Sequence, residues 1–229
     1  MISNVLVELP WNALVAVIIY VCFYYPIGMY RNAEFADQFT ERSGLMFLFV
    51  LAFLLFASTF TNMVIAGIET AEGGGGIASL MFSLCLIFCG VLVGPDAMPR
   101  FWIFMYRVSP FTYLVSGMLS TGLSNARVTC SDIEYLYVEP PEGSTCGAYF
   151  ASFIETAGGY LTNANATTRC EFCTVADTNT LLSSLSIEYD TRWRNFGLLW
   201  VYIVFNVAMA LALYYWLRVP KSSKKEKKE

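Results

Sequence analysis

The sequence contains no histidine. That removes Ser-His-Asp and Cys-His catalysis and any zinc site built on imidazole. Charge is scarce too. Asp, Glu, Lys and Arg make up 14% of the 229 residues, against about 25% in a soluble domain. The segments 12–30, 45–68, 77–94 and 195–217 carry no charged residue at all, so no ion pathway or acid-base pair is expected inside them. The net charge of -4 is too small to suggest a nucleic-acid partner. No charged n-region followed by a short apolar stretch lies near Met1, so no cleaved signal peptide is expected. The run Gly73-Gly74-Gly75-Gly76 has no Lys-Ser/Thr after it and no strand before it. It is therefore read as a flexible cytoplasmic turn, not a phosphate loop.

What remains is strongly apolar. Hydrophobic residues make up 56% of the chain, with 18 Phe, 14 Tyr and 5 Trp. A membrane-spanning helix needs roughly 20 largely apolar residues, and the four charge-free segments meet or approach that length. Tyr24, Tyr25, Tyr30, Tyr214, Tyr215 and Trp216 stand at their ends, where interfacial aromatics belong. The expected class is an all-α integral membrane protein with four transmembrane helices.

A fifth apolar stretch, 98–119, is broken by Arg107, Ser109 and Pro110. A continuous helix would bury Arg107 in lipid, costing about 2.5–3.5 kcal/mol on insertion scales. Pro110 would remove a helix hydrogen bond and push Ser109 out of the α region. The segment is expected to be a re-entrant helix pair packed on protein. The tail 218–229 holds Arg218, Lys221, Lys224, Lys225, Lys227 and Lys228, which places it in the cytoplasm by the positive-inside rule. Four spans then put the N-terminus inside as well, and the loop 120–194 outside.

That loop holds Cys130, Cys146, Cys170 and Cys173, whereas Cys22, Cys85 and Cys89 lie in apolar spans. Four cysteines in an exported loop suggest two disulfides, with three pairings open. A zinc site of four thiolates is the competing reading, although the Cys130 to Cys146 spacing is long for a paired-ligand knuckle. Asn165-Ala166-Thr167 is a glycosylation sequon, usable only on an external face.

Within the spans, Ser58, Thr61 and Asn62 share one helix face, and Ser79, Ser83, Leu86 and Gly90 share another. Small residues at this spacing allow close helix packing. The functional alternative is a mostly apolar cavity lining for bulky uncharged or amphipathic ligands. No catalytic residue is expected.

Several runs carry a more specific likeness. They are Glu8-Leu9-Pro10-Trp11-Asn12, Tyr24-Tyr25-Pro26-Ile27-Gly28, Phe88-Cys89-Gly90-Val91, the long run from Phe101 to Leu114, Arg192-Trp193-Arg194-Asn195 and Arg218-Val219-Pro220-Lys221. With them the chain resembles the fungal pleiotropic drug resistance transporters of the ABC G subfamily, in the C-terminal part of their second transmembrane domain. The resemblance implies an ATP-driven exporter of hydrophobic drugs, xenobiotics or lipids. It implies disulfides Cys130–Cys173 and Cys146–Cys170. Ser58, Thr61, Asn62, Ser79, Ser83 and Leu86 would lie at the substrate cavity, and Val91 and Leu92 at the outer constriction. The partners it implies are membrane lipid, hydrophobic small molecules, a companion transmembrane domain and nucleotide-binding domains. ATP and Mg would act on those nucleotide-binding domains, with no cofactor or metal in this chain. The plasma membrane is the expected location, with both termini cytoplasmic. The alternative reading is a free-standing four-span scaffold or adhesion protein, which would have no need of a re-entrant segment.

Overall fold

A computed structural model describes residues 2–68 and 70–218. Among these residues there are nine α-helices: α1 (Ile2–Ile27), α2 (Met29–Phe35), α3 (Phe39–Gly67), α4 (Ala71–Ile87), α5 (Ile103–Val108), α6 (Pro110–Leu123), α7 (Cys146–Ala157), α8 (Thr178–Ser184) and α9 (Arg192–Arg218). Three stretches are long and apolar enough to cross a membrane: Leu6–Ile27, Phe39–Gly67 and Tyr189–Leu217. The chain is an all-α membrane fold.

The third expected span, 77–94, is corrected. Its helix runs from Ala71 to Ile87, so Gly73 to Gly76 are helical and not a flexible turn. Four glycines cost a helix about 1 kcal/mol each relative to alanine. Gly74 is buried, with a Cβ position 3.7 Å from Ile65 Cγ1. The helix stops early at the other end, where Gly90 adopts φ +91° and Tyr106 packs against it. At 17 residues, α4 is about 25 Å long, short of the roughly 30 Å hydrocarbon core.

The first span also shifts from its expected bounds of 12–30. Helix α1 begins at Ile2, runs through Pro10, and ends before Gly28, which is left-handed at φ 80°. The acid Glu8 therefore lies within the apolar stretch. The expected break in 98–119 is present: Ser109 leaves the helix at ψ 121° and Pro110 starts α6. Helix α9 begins at Arg192, three residues before the expected 195. In the tail, 219–229 lie outside the described residues, as does Glu69.

Helix α3 is the axis of the bundle, with α1 on one side and α6 and α9 on the other. Its buried residues Leu45, Phe49, Ala52, Phe56 and Thr59 recur every three or four positions and so form one stripe. Phe49 meets Phe196 of α9 edge-on at 5.6 Å, and Phe56 meets Tyr202 at 6.5 Å. Gly117 makes the α6 approach possible, because a Cβ there would lie 2.2 Å from Phe49 Cζ.

Between α6 and α9 the chain builds a separate unit. Strands β1 (Leu136–Val138), β2 (Tyr160–Leu161) and β3 (Cys170–Cys173) form an antiparallel sheet in the order β1-β3-β2. Helix α7, capped by the Thr145 hydroxyl on Ala148 N–H, packs Phe150 flat on Phe172 at 4.9 Å. Disulfides join Cys130 to Cys173 and Cys146 to Cys170, the same partners that the resemblance implies. Three of these cysteines, Cys146, Cys170 and Cys173, are fully buried.

Candidate functional site

The expected cavity residues fall on two helices that do meet. Helix α4 packs on α3 through Phe82, whose ring lies 5.2 Å from Phe60 and 6.2 Å from Phe56. That contact uses one face of α4. Ser79, Ser83 and Leu86 flank that contact and are exposed, among Leu80, Met81 and Ile87. Thr61 is exposed on α3. The Thr61 hydroxyl donates to Ala57 O at 2.9 Å, and the Ser83 hydroxyl donates to Ser79 O at 2.9 Å. With their donors committed to their own helices, both side chains present acceptor lone pairs outward. The surface is thus broad and apolar, with acceptors scattered over it.

Ser58 and Asn62 belong to a different arrangement. Both donate to Glu8 Oε2 of α1, Asn62 Nδ2 at 3.4 Å and the Ser58 hydroxyl at close range. A first span defined by its freedom from charge starts at residue 12 and leaves Glu8 outside, so this partnership is not legible from composition. The signal that could have found it is the lone acid two residues before a proline tolerated inside the helix. The bond joins α1 to α3 and absorbs the polar groups of Ser58 and Asn62. Val91 and Leu92 follow α4 in the bend around Gly90 and are exposed. Among the described residues nothing closes over them.

The opposite end of the bundle is polar and tightly joined. Asn32 Nδ2 donates to Gly122 O at 3.0 Å and Ser124 O at 3.1 Å. Arg42 is 2% exposed, and donates from Nε to Gln38 Oε1 at 3.0 Å and from Nη1 to Ser124 O at 2.8 Å. The Tyr189 hydroxyl reaches the same Gln38 oxygen at 2.8 Å. Arg192 pairs with Glu41 at 2.7 Å. These bonds tie α2, α3, the end of α6 and the start of α9 together on the side that carries the disulfide-bonded unit. Asn165 of the sequon is exposed there, in the turn between β2 and β3. No group of three or more His, Cys, Asp or Glu side chains that could hold a metal occurs among the described residues, and all four loop thiols are in disulfides.

Comparison with known proteins gives two family matches, the ABC-2 type transporter over residues 1–123 and the CDR ABC transporter over residues 172–227. The chain is 58% identical over 224 residues to ABC multidrug transporter atrG of Aspergillus oryzae, covering 98% of this chain and 15% of that protein. It is 57% identical over 224 residues to ABC multidrug transporter C of Aspergillus fumigatus, with the same 98% and 15% coverage. It is 54% identical over 232 residues to ABC-type transporter eriD of Hericium erinaceus, covering 100% of this chain and 16% of that protein. The chain thus spans about 15% of the length of the curated relatives it matches.

Proposed function

This chain belongs to the ABC-2 type transporter family, and on that premise we propose that it supplies the last helices of the second transmembrane domain of an ATP-driven exporter. The substrates are hydrophobic drugs, xenobiotics or lipids. Nucleotide-binding domains elsewhere in the transporter bind ATP and Mg and drive the cycle, and a companion transmembrane domain completes the substrate cavity. One observation carries the reading: α4 leaves Ser79, Ser83 and Leu86 exposed beside its contact with α3, in an apolar surface with hydroxyl acceptors. Such a face suits bulky ligands held by burial and a few polar contacts. Thr61 extends it on α3. Ser58 and Asn62 act behind it, through Glu8. Val91 and Leu92 form the outer constriction together with the companion domain.

The transporter sits in the plasma membrane with both termini of this chain cytoplasmic. The loop-bearing end is then external, and Asn165 is glycosylated. The re-entrant pair α5 and α6 enters the membrane from that side.

The experiment is efflux of a panel of hydrophobic dyes from cells expressing the transporter that contains this chain. Ser83→Trp and Thr61→Trp are expected to lower efflux of some dyes several-fold while surface expression is unchanged. Efflux of every dye at the unmodified rate would overturn the cavity assignment. Glycosylation reporters on each terminus test orientation. A glycosylated N-terminal reporter would mean that 98–119 crosses the membrane completely.

A further inference from the structure

A second cavity, of about 300 Å³, opens between α5, α6 and the start of α9. Its wall carries two guanidiniums, Arg107 and Arg194, and the hydroxyl side chains of Thr112, Ser116 and Thr191. Asn195 forms part of the lining, is 1% exposed, and donates Nδ2 to Ser116 Oγ at 3.0 Å. Among the described residues neither Arg107 nor Arg194 makes an ion pair. Glu188 also lines the cavity, so two cations face one carboxylate and the charge there is net positive. The N-terminus of the 27-residue α9 ends in the same place, adding the positive end of its dipole.

The depth of these groups matters. The carbonyl of Val108, next to Arg107, accepts the Tyr202 hydroxyl at 2.8 Å. Tyr202 lies eight residues beyond Arg194 along α9, about 12 Å at helical rise. The Tyr202 side chain leans back towards the start of α9, so Arg107 lies deeper than Arg194 but within the first turns of the α9 stretch. Beside Arg107 in the chain, Phe104 and Val108 are exposed, and Val201, Val204 and Phe205 are exposed along α9. An unpaired cation among lipid-facing apolar side chains requires a counter-charge or a wet path. The cavity provides the path, and the bilayer provides the counter-charge.

We propose that this cavity is a phosphate-binding site whose occupant is the head group of a membrane phospholipid. The phosphate enters from the loop-bearing end to meet Arg107 and Arg194, and the acyl chains lie along the apolar flanks of α5 and α9. The volume is at the small end for ligand pockets, which admits a head group and keeps the chains outside. The apolar flanks are what favour a lipid over free phosphate. The site depends on the chain spanning a membrane and not on what the transporter moves.

The test uses the full chain extracted into polymer-bounded membrane discs. Discs are equilibrated with phosphatidylglycerol, or with diacylglycerol of the same chains, and retained lipid is quantified by mass spectrometry. Arg107→Gln with Arg194→Gln is expected to lower phosphatidylglycerol retention about fivefold, as two charge-assisted contacts are lost. Diacylglycerol retention is expected not to change. The single variant Arg194→Glu, at an exposed position where substitutions change stability little, is expected to lower phosphatidylglycerol retention in the same direction. The double Lys variant is expected to recover part of it. Equal phosphatidylglycerol retention in the unmodified chain and in Arg194→Glu overturns the site. Complete displacement of the lipid by millimolar inorganic phosphate overturns the lipid as occupant.

Discussion

The Arg42 guanidinium lies 4.9 Å from the Tyr189 ring centroid, and the Arg192 guanidinium lies 3.8 Å from the same centroid. One aromatic ring thus sits against two cations, joining the start of α3 to the turn before α9. Both cations also have conventional partners, Gln38 and Ser124 O for Arg42, and Glu41 for Arg192. Removing Arg42 takes one donor from the Ser124 carbonyl, which keeps Asn32 Nδ2, and one from Gln38 Oε1, which keeps the Tyr189 hydroxyl. Arg42→Ala is expected to destabilise the chain by about 1.5–3 kcal/mol, the range for charged hydrogen bonds. Arg42→Lys is expected to recover little, because an ammonium cannot serve both acceptors with the guanidinium's fork. Thermal unfolding in detergent checks both. A Lys variant as stable as the original would refute the geometric argument.

Gly117 and Phe49 make the second prediction. Even one methyl on Gly117 would penetrate the Phe49 ring. Gly117→Ala is expected to cost about 1–3 kcal/mol, as overpacking does. Pairing it with Phe49→Leu removes the obstructing ring atoms. The double variant is expected to be more stable than the sum of the single losses, and a double-mutant cycle reads that coupling.

The disulfide-bonded unit has a small core of Phe150, Phe172 and the Cys146–Cys170 bond. Replacing both cysteines by serine is expected to cost this unit about 2–5 kcal/mol. Limited proteolysis should then cut between Gly143 and Cys173 at protease levels that leave the unmodified chain intact. The helices α3 and α9 should stay protected, because their core is separate.

Glu8 offers a discriminating pair of variants. Glu8→Gln keeps a carbonyl acceptor for the Ser58 hydroxyl, whereas Glu8→Ala removes the acceptor from both Ser58 and Asn62. The alanine variant is expected to lose about 1–3 kcal/mol and the glutamine variant less than half of that. Equal losses would mean that the carboxylate charge, and not the acceptor, holds α1 to α3.

Much of this protein was decided by local composition. Charge-free runs close to or beyond the thickness of a bilayer favour helices in lipid, because no water is there to satisfy a free backbone; the run 77–94 shows that length still decides whether one crosses. Pro110 lacks the donor that would carry α5 into α6, so the break at Ser109 follows from two adjacent residues. Cysteines confined to a polar loop mark the disulfide-bonded unit in the same way. Tertiary structure decided the rest. Helices α1, α3 and α9 are apolar nearly all round, since lipid and protein neighbours are equally apolar. No pattern therefore marks which side of α3 receives Phe196 and Gly117, and the small residues Ser79 and Ser83 of α4 suit a packed face as well as the open one they occupy. The pairing of Glu8 with Ser58, and of Arg42 with Tyr189, joins residues far apart in the chain. The helical state of Gly73 to Gly76 runs against glycine's own preference. It goes with a tertiary contact, since Gly74 is buried against Ile65.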